Sequence, residues 1–146
     1  MNVPLSDLWE RVGQRRGVRQ FVKFGIVGAS GFVVNLIIFT LLQRAVPNHE
    51  QAGPYYAIYS IAFLSGGVSN YFLNRIWTFR STGHAGKEAM QFLSVSVLAL
   101  IVGLIVSAVV GRALGHFGHI TWLVATLSGI VVNFFVNKYW TFRSVA

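Results

Sequence analysis

The chain has 146 residues, of which 54% are hydrophobic and only 11% charged, with a formal net charge of +8 and no cysteine. Soluble domains carry about 25% charged residues, so the composition favours a membrane protein, and the missing thiols exclude a disulfide framework, thiol chemistry and a sulfur-ligated metal. The cations stand at the edges of apolar runs, which fits a membrane surface and anionic lipid rather than nucleic acid.

In chain order, Pro4 to Gln20 comes first. Leu5, Leu8, Trp9 and Val12 fall at helical spacing there, with Arg11, Gln14 and Arg15 off that face. This predicts an interfacial helix, the alternative being a disordered basic tail. Four uncharged, largely apolar runs follow: Phe24 to Gln43, a run from about Tyr55 towards Arg75, Ala89 to Gly111, and about Phe117 to Asn137. Roughly 20 apolar residues cross the hydrocarbon as a helix, and too little chain remains to cover four such helices in water. The first run is too long, and lacks the small-residue site, for a cleaved signal peptide. The predicted class is therefore an all-α membrane protein. Residues 1–20 form an N-terminal segment with an interfacial helix, and residues 21–146 form a domain of four transmembrane helices.

Cations set the predicted orientation. Arg11, Arg15, Arg16, Arg19, Lys23, Arg75, Arg80, Lys87, Lys138 and Arg143 lie on one side, against Arg44 and Arg112 on the other. The heavy side is expected to be cytoplasmic, with both termini and the loop around Gly83, while Asn48 and Gly118 face outward.

The most informative feature is a repeat. Leu64 to Ser81 reads LSGGVSNYFLNRIWTFRS and Leu127 to Ser144 reads LSGIVVNFFVNKYWTFRS, at a constant offset of 63. Two asparagines, a cation and a WTFR tail recur in register, which apolar composition alone does not produce. The motifs end the second and fourth spans, which run the same way. The halves, about 21–81 and 89–144, are thus read as a parallel repeat of helix pairs about an axis along the membrane normal. The first helix of each half has diverged much further.

Within the motifs Gly66, Asn70, Asn74 and Trp77 share a helical face, as do Gly129, Asn133, Asn137 and Trp140. Amides cannot bond to lipid tails, so these stripes should face each other or a wet groove. They either tie helices together or line a site, and Asn35, deep in the first span, belongs to the same polar region. Arg75 and Lys138, one residue past Asn74 and Asn137, are positioned to hold a phosphate or to anchor the helix ends. Trp77, Arg80, Trp140 and Arg143 read as interface anchors. Gly25, Gly28, Ala29 and Gly31, and Gly103, Ser107 and Gly111, read as packing positions, and His116 and His119 as solvated loop residues. No carboxylate lies inside a span, and no metal-ligand cluster or phosphate-cradling loop appears, so no enzyme activity and no cofactor are expected.

FVKFGIVGASG (Phe21 to Gly31), NYFLNRIWTFR (Asn70 to Arg80) and NFFVNKYWTFR (Asn133 to Arg143) resemble the GtrA family over nearly the whole chain. The resemblance implies a four-span protein of the bacterial inner membrane, linked to cell-surface polysaccharide synthesis. Family members are proposed to flip polyprenyl-phosphate-linked sugars, often beside a glycosyltransferase partner. Lys138 stands where the first copy has arginine, keeping the charge but losing the planar fork. The expected function is flipping of a polyprenyl-monophosphate sugar, with Arg75 and Lys138 capturing the phosphate and Asn35, Asn70, Asn74, Asn133 and Asn137 offering a polar path. Expected partners are that lipid, bilayer lipids, a glycosyltransferase and further copies of the chain. The rivals are a non-transporting scaffold for a glycosyltransferase and, ranked lower for want of an intramembrane carboxylate, a small multidrug exporter.

Overall fold

A computed structural model describes residues 16–78, 85–136 and 139–140, together with Pro4 and Asp7. Most of the expected interfacial helix therefore lies outside the described residues, as do Arg80, Asn137, Lys138 and Arg143. Four helices make up the described chain: α1 (Arg16–Ala45), α2 (Ala52–Leu73), continued by a π-helical turn (Asn74–Thr78), α3 (Ala85–Leu114) and α4 (His119–Val136). α1 runs unbroken from Arg16, so the boundary expected at residue 21 falls inside a helix.

Three helices are long and apolar enough to cross a membrane by length and composition, over Val22–Ala45, Ala89–Leu114 and His119–Val136. α2, at 22 residues, is about 33 Å long, but Tyr55, Tyr56, Tyr59, Ser60, Ser65 and Asn70 lower its hydropathy. Its position accounts for this. α2 lies between α1 and α3 and buries a face from Tyr55 to Gly66, so Tyr55 and Tyr59 pack inside the bundle instead of meeting lipid. Outward-facing Ile26, Ile37, Leu41, Val68, Ile105, Val109 and Val131 form the apolar surface that a bilayer requires. Hydroxyls of Ser60, Ser65, Ser94 and Ser128 bond back to the carbonyl four residues earlier and so cost little in an apolar setting.

The helices pair as α1 with α2 and α3 with α4, and the pairs meet chiefly through α2 and α3. Gly66 makes the first pairing close: a Cβ there would stand 2.6 Å from the Gly31 carbonyl oxygen. Gly129 sits in the same way against Ala99, with 3.2 Å to its carbonyl oxygen. Buried positions follow one rule. Ile58, Tyr59, Ala62, Phe63 and Gly66 of α2 correspond to Thr121, Trp122, Ala125, Thr126 and Gly129 of α4, each 63 residues on. Val27, Gly31, Asn35, Phe39 and Gln43 of α1 correspond to Val95, Ala99, Gly103, Ser107 and Gly111 of α3, each 68 residues on.

At the end carrying the short loops, here the loop end, buried Phe39, Tyr55, Tyr59, Phe63, Phe117 and Trp122 form the core. Asn48 (φ 55) and Gly115 (φ 77) adopt the left-handed conformation that lets each loop turn back. The Phe117 amide donates to the Glu50 carbonyl across the two loops. His119 is the first residue of α4, edge-on to Phe39 at 5.4 Å and 3.3 Å from Thr40 Oγ1, so it packs against α1 instead of only meeting solvent.

Candidate functional site

The opposite end, here the motif end, carries the asparagines. Asn70 and Asn74 stand one helical turn apart on α2, and the helix then widens into the π-helical turn. A π turn holds more residues than an α turn and often marks a functional position. Here it carries the buried face from Asn74 (2% exposed) to Thr78 (4%) and turns Trp77 outward (40%). Trp77 therefore leaves the asparagine face on which α-helical spacing put it. Its indole receives Lys23 of α1, whose ammonium lies 5.2 Å from the ring centroid, a cation–π contact contributing roughly 0.5–2 kcal/mol. Trp77 is thus a structural partner of α1 as well as an aromatic residue at the helix end. Tyr139 and Trp140, 63 residues beyond Ile76 and Trp77, are also in π-helical conformation and exposed.

The Asn70 amide lies directly over Gly31, where any Cβ would strike it. The side-chain carbonyl oxygens of Asn70 and Asn74 are both buried without a hydrogen-bond partner. A buried acceptor left unpaired costs about 1–3 kcal/mol, and native proteins hold few of them. The hydroxyls of Thr78 and Ser96 share that state; the two asparagines differ in lining one open groove, where a donor from outside the chain can reach them. Both asparagines line a groove of about 640 Å³ between α1 and α4, joined there by Asn133. Its remaining walls are apolar or glycine, including Phe24, Gly28, Phe32, Phe92 and Phe134. The rim residues Gly25, Ala29, Val33, Leu127 and Ile130 are exposed, so the groove opens sideways through the surface that faces lipid. A smaller space of about 30 Å³, lined by Gly31, Asn35, Gly66 and Thr126 among others, continues it inward.

Asn35 closes that inner end. Its Oδ1 accepts a hydrogen bond from Trp122 Nε1 at 3.0 Å, and Trp122 is stacked on Phe39 at 5.5 Å and tilted against Phe32 at 5.2 Å. Tyr55 and Ser107 hydroxyls pair at 3.0 Å further towards the loop end. The site is therefore an apolar cleft with amide acceptors on its inner wall, open to the side and sealed towards the loop end by aromatic rings. Such an arrangement can hold an amphiphile whose polar part carries hydrogen-bond donors.

Of the residues singled out in the sequence, Asn35, Asn70, Asn74 and Asn133 are brought together around this cleft. Arg75 is half-buried in the π-helical turn beside Asn74 and is not among the groove's lining residues. Gly31 packs as expected, but a Cβ at Gly25 or Gly28 would meet nothing within 4 Å. Those glycines are part of the cleft wall, not of a helix contact. Sequence reading missed Lys23, which looked like one more flanking cation, and Trp122, which lies outside the repeated motif; the only signal for Trp122 was its place 63 residues after Tyr59.

The family described as GtrA/DPMS, transmembrane domain, matches residues 23–145. The chain is 25% identical over 126 residues, 86% of its length and 80% of the relative's, to the uncharacterized membrane protein YngA of Bacillus subtilis (strain 168). It is 31% identical over 121 residues to a dolichol-phosphate mannosyltransferase of Pyrococcus furiosus, covering 82% of this chain but 32% of that protein. No solved structure matches.

Proposed function

From the premise that this chain belongs to the GtrA/DPMS transmembrane-domain family, we propose that it binds a polyprenyl-monophosphate sugar and carries it between the leaflets of a bacterial inner membrane. In this reading all four helices span the bilayer, α2 included. The two helix pairs are copies related by an axis along the membrane normal, and the motif end with both termini is cytoplasmic. The observation that carries the reading is the pair of partnerless amide carbonyls, Asn70 and Asn74, in an otherwise apolar groove open to lipid. Sugar hydroxyls supply the missing donors, and a prenyl chain suits apolar walls better than water does. Arg75 and Lys138 are the proposed phosphate-binding cations, one from each motif. Direction comes from supply of the lipid on one leaflet and its use on the other, without a cofactor or a chemical step.

The second reading is a membrane anchor that positions a glycosyltransferase without transporting. Its support is the similarity of this chain to about a third of the Pyrococcus mannosyltransferase. Both readings make the lipid-linked sugar the ligand or its neighbour, and transport separates them. The test uses purified chain in liposomes holding a fluorescent polyprenyl-phosphate glucose, with leaflet exposure read by a membrane-impermeant quencher. The expected result is exchange that depends on the protein and slows about tenfold or more in Arg75→Gln and Lys138→Gln, each losing a hydrogen bond to a charged group. Arg80→Gln and Arg143→Gln are expected to change it less. Tight binding of the lipid with no exchange between leaflets rejects transport in favour of the anchor.

A further inference from the structure

The two seams between the helix pairs correspond residue by residue, yet they differ in one respect. At the α1–α4 seam Phe24 meets Phe134 with ring centroids 5.9 Å apart. At the α2–α3 seam Phe92 meets Tyr71 at 5.4 Å. Phe92 is 68 residues after Phe24, and Phe134 is 63 after Tyr71, the offsets that relate the buried stripes. The inner contacts correspond as well: Trp122 reaches Asn35, and Tyr59 reaches Gly103, 68 residues after Asn35. The backbones do not follow suit. α2 and α3 lie directly together, whereas α1 and α4 stand apart and meet through long aromatic side chains.

The residues between the ring pairs explain the difference. On the close seam Gly67 of α2 lets Ser96 of α3 come within 3.8 Å of where its Cβ would be. At the corresponding place on the other seam α4 carries the larger Ile130, exposed on the rim of the groove. α1 meanwhile carries Gly25, Gly28 and Ala29 where α3 carries Leu93, Ser96 and Val97, and the volume those side chains would fill is left empty. Small residues alone would be only a smooth surface. Here they face the carbonyl of Asn74, a side chain 2% exposed and without a partner, across the same space.

We propose that the chain has one functional lateral groove, at the α1–α4 seam, and that its occupant is the phosphate-proximal part of the polyprenyl chain, with the sugar's hydroxyls at Asn70 and Asn74. The α2–α3 seam is the closed counterpart that holds the halves together. Lys23, carried over Trp77 at the motif end of α1, supplies positive charge near the mouth and complements the anionic head. The α3 position 68 residues on is Gln91, which is uncharged, so the charge is one-sided too. This inference rests on the proposed ligand class, and the experiment separates the two.

The test gives α1 the residues that α3 carries, as Gly25→Leu, Gly28→Ser and Ala29→Val together. A Cβ at either glycine meets nothing within 4 Å, so the fold has room for the change. Wild type and variant, full length in phosphatidylglycerol-containing nanodiscs, bind a polyprenyl-phosphate glucose bearing a photoreactive group on its second isoprene. Polyprenyl phosphate, polyprenol and excess phosphatidylglycerol serve as competitors. Expected are crosslinks at Val33, Leu127 or Ile130 of the wild type, and an affinity lowered about tenfold or more in the triple variant, equivalent to losing the burial of roughly two methylenes. Leu93→Ala with Val97→Ala, on the closed seam, is expected to leave affinity within about twofold. Wild-type crosslinks confined to α2 and α3, or unchanged affinity in the triple variant, overturn the groove assignment while leaving the ligand class intact. Phosphatidylglycerol displacing the probe as well as polyprenyl phosphate does overturns the occupant and with it the functional reading.

Discussion

Removing the hydrogen bond that closes the groove gives a quantitative check on the core of this bundle. Trp122→Phe keeps a ring in place against Phe32 and Phe39, and therefore most of the packing, but removes the Nε1 donor from the Asn35 carbonyl. Asn35 is 4% exposed, so its orphaned oxygen is left inside the bundle. An orphaned acceptor costs about 1–3 kcal/mol in soluble proteins, and side-chain hydrogen bonds inside membrane bundles average about 0.6 with a ceiling near 1.7. The expected loss is therefore about 1–2 kcal/mol, including the smaller ring. Asn35→Leu, close to isosteric, should cost a similar amount by orphaning the indole. The double variant removes both partners, and replacing both by apolar groups is nearly neutral. It should be no less stable than either single, a coupling of about 1 kcal/mol or more. Unfolding free energies from steric trapping in bicelles measure all four proteins. If the losses simply add in the double variant, the Trp122–Asn35 bond does not hold the bundle and the account of the sealed end is wrong.

Two further outcomes follow from the geometry. Gly31→Ala puts a methyl into the Asn70 amide, so lipid affinity and stability should both fall, the latter by about 1–3 kcal/mol as for an overpacked site. Gly103→Ala, which crowds Tyr59 in the other half of the bundle, should cost similar stability and leave lipid affinity unchanged; equal effects on affinity would mean that Asn70 has no special part in binding. For topology, His116→Cys and Gly86→Cys place single thiols at exposed positions of a cysteine-free chain. An impermeant maleimide should label only the first in intact cells, and labelling of Gly86→Cys alone would invert the proposed orientation.

The helical class, the helix pairs and the asparagine stripe were legible because each leaves a mark in one dimension. Apolar runs bounded by cations fix where helices cross, and a polar residue recurring every fourth position in such a run must point at something other than lipid. The π-helical turn left no such mark. NRIWT reads as ordinary helix, so Trp77 was assigned to the buried face that Thr78 occupies. The correspondence of α1 with α3 was illegible for another reason. Val27, Gly31, Asn35, Phe39 and Gln43 share only valine with Val95, Ala99, Gly103, Ser107 and Gly111. What the two stripes share is position, while the side chains opposite them differ. Asn35 pairs with an indole donor, while Gly103 makes room for a tyrosine ring. Gly25 and Gly28 of α1 were misread because small residues in a span serve close packing and open volume equally well, and only the distance to the next helix separates the two.

That divergence bears on what motion the bundle can make. The loop end is held by the Trp122–Asn35 and Tyr55–Ser107 bonds, by the amide of Phe117 on Glu50, and by stacked and edge-on rings from Phe39 to Phe117. Aromatic pairs contribute about 0.5–1.5 kcal/mol each beyond their burial, so opening that end costs at least a few kcal/mol. At the motif end the Asn70 and Asn74 carbonyls are already unpaired, and a bound head that satisfies them lowers the free energy of the state in which it lies there. A ligand shifts an equilibrium only by its difference in affinity between two states. Contacts at Asn70 and Asn74 alone therefore hold the chain in the form described. On the proposed transport reading, passage to the other leaflet needs a second set of contacts, gained as the first is lost, and Asn35, at the inner end of the groove, is the candidate for it. Were Trp122 to move away, the Asn35 carbonyl would be a free acceptor at the inner end of the same groove. In that reading a sugar hydroxyl that took the indole's place would offset the lost hydrogen bond, and Asn35, which closes the groove here, would also lower the barrier to opening it.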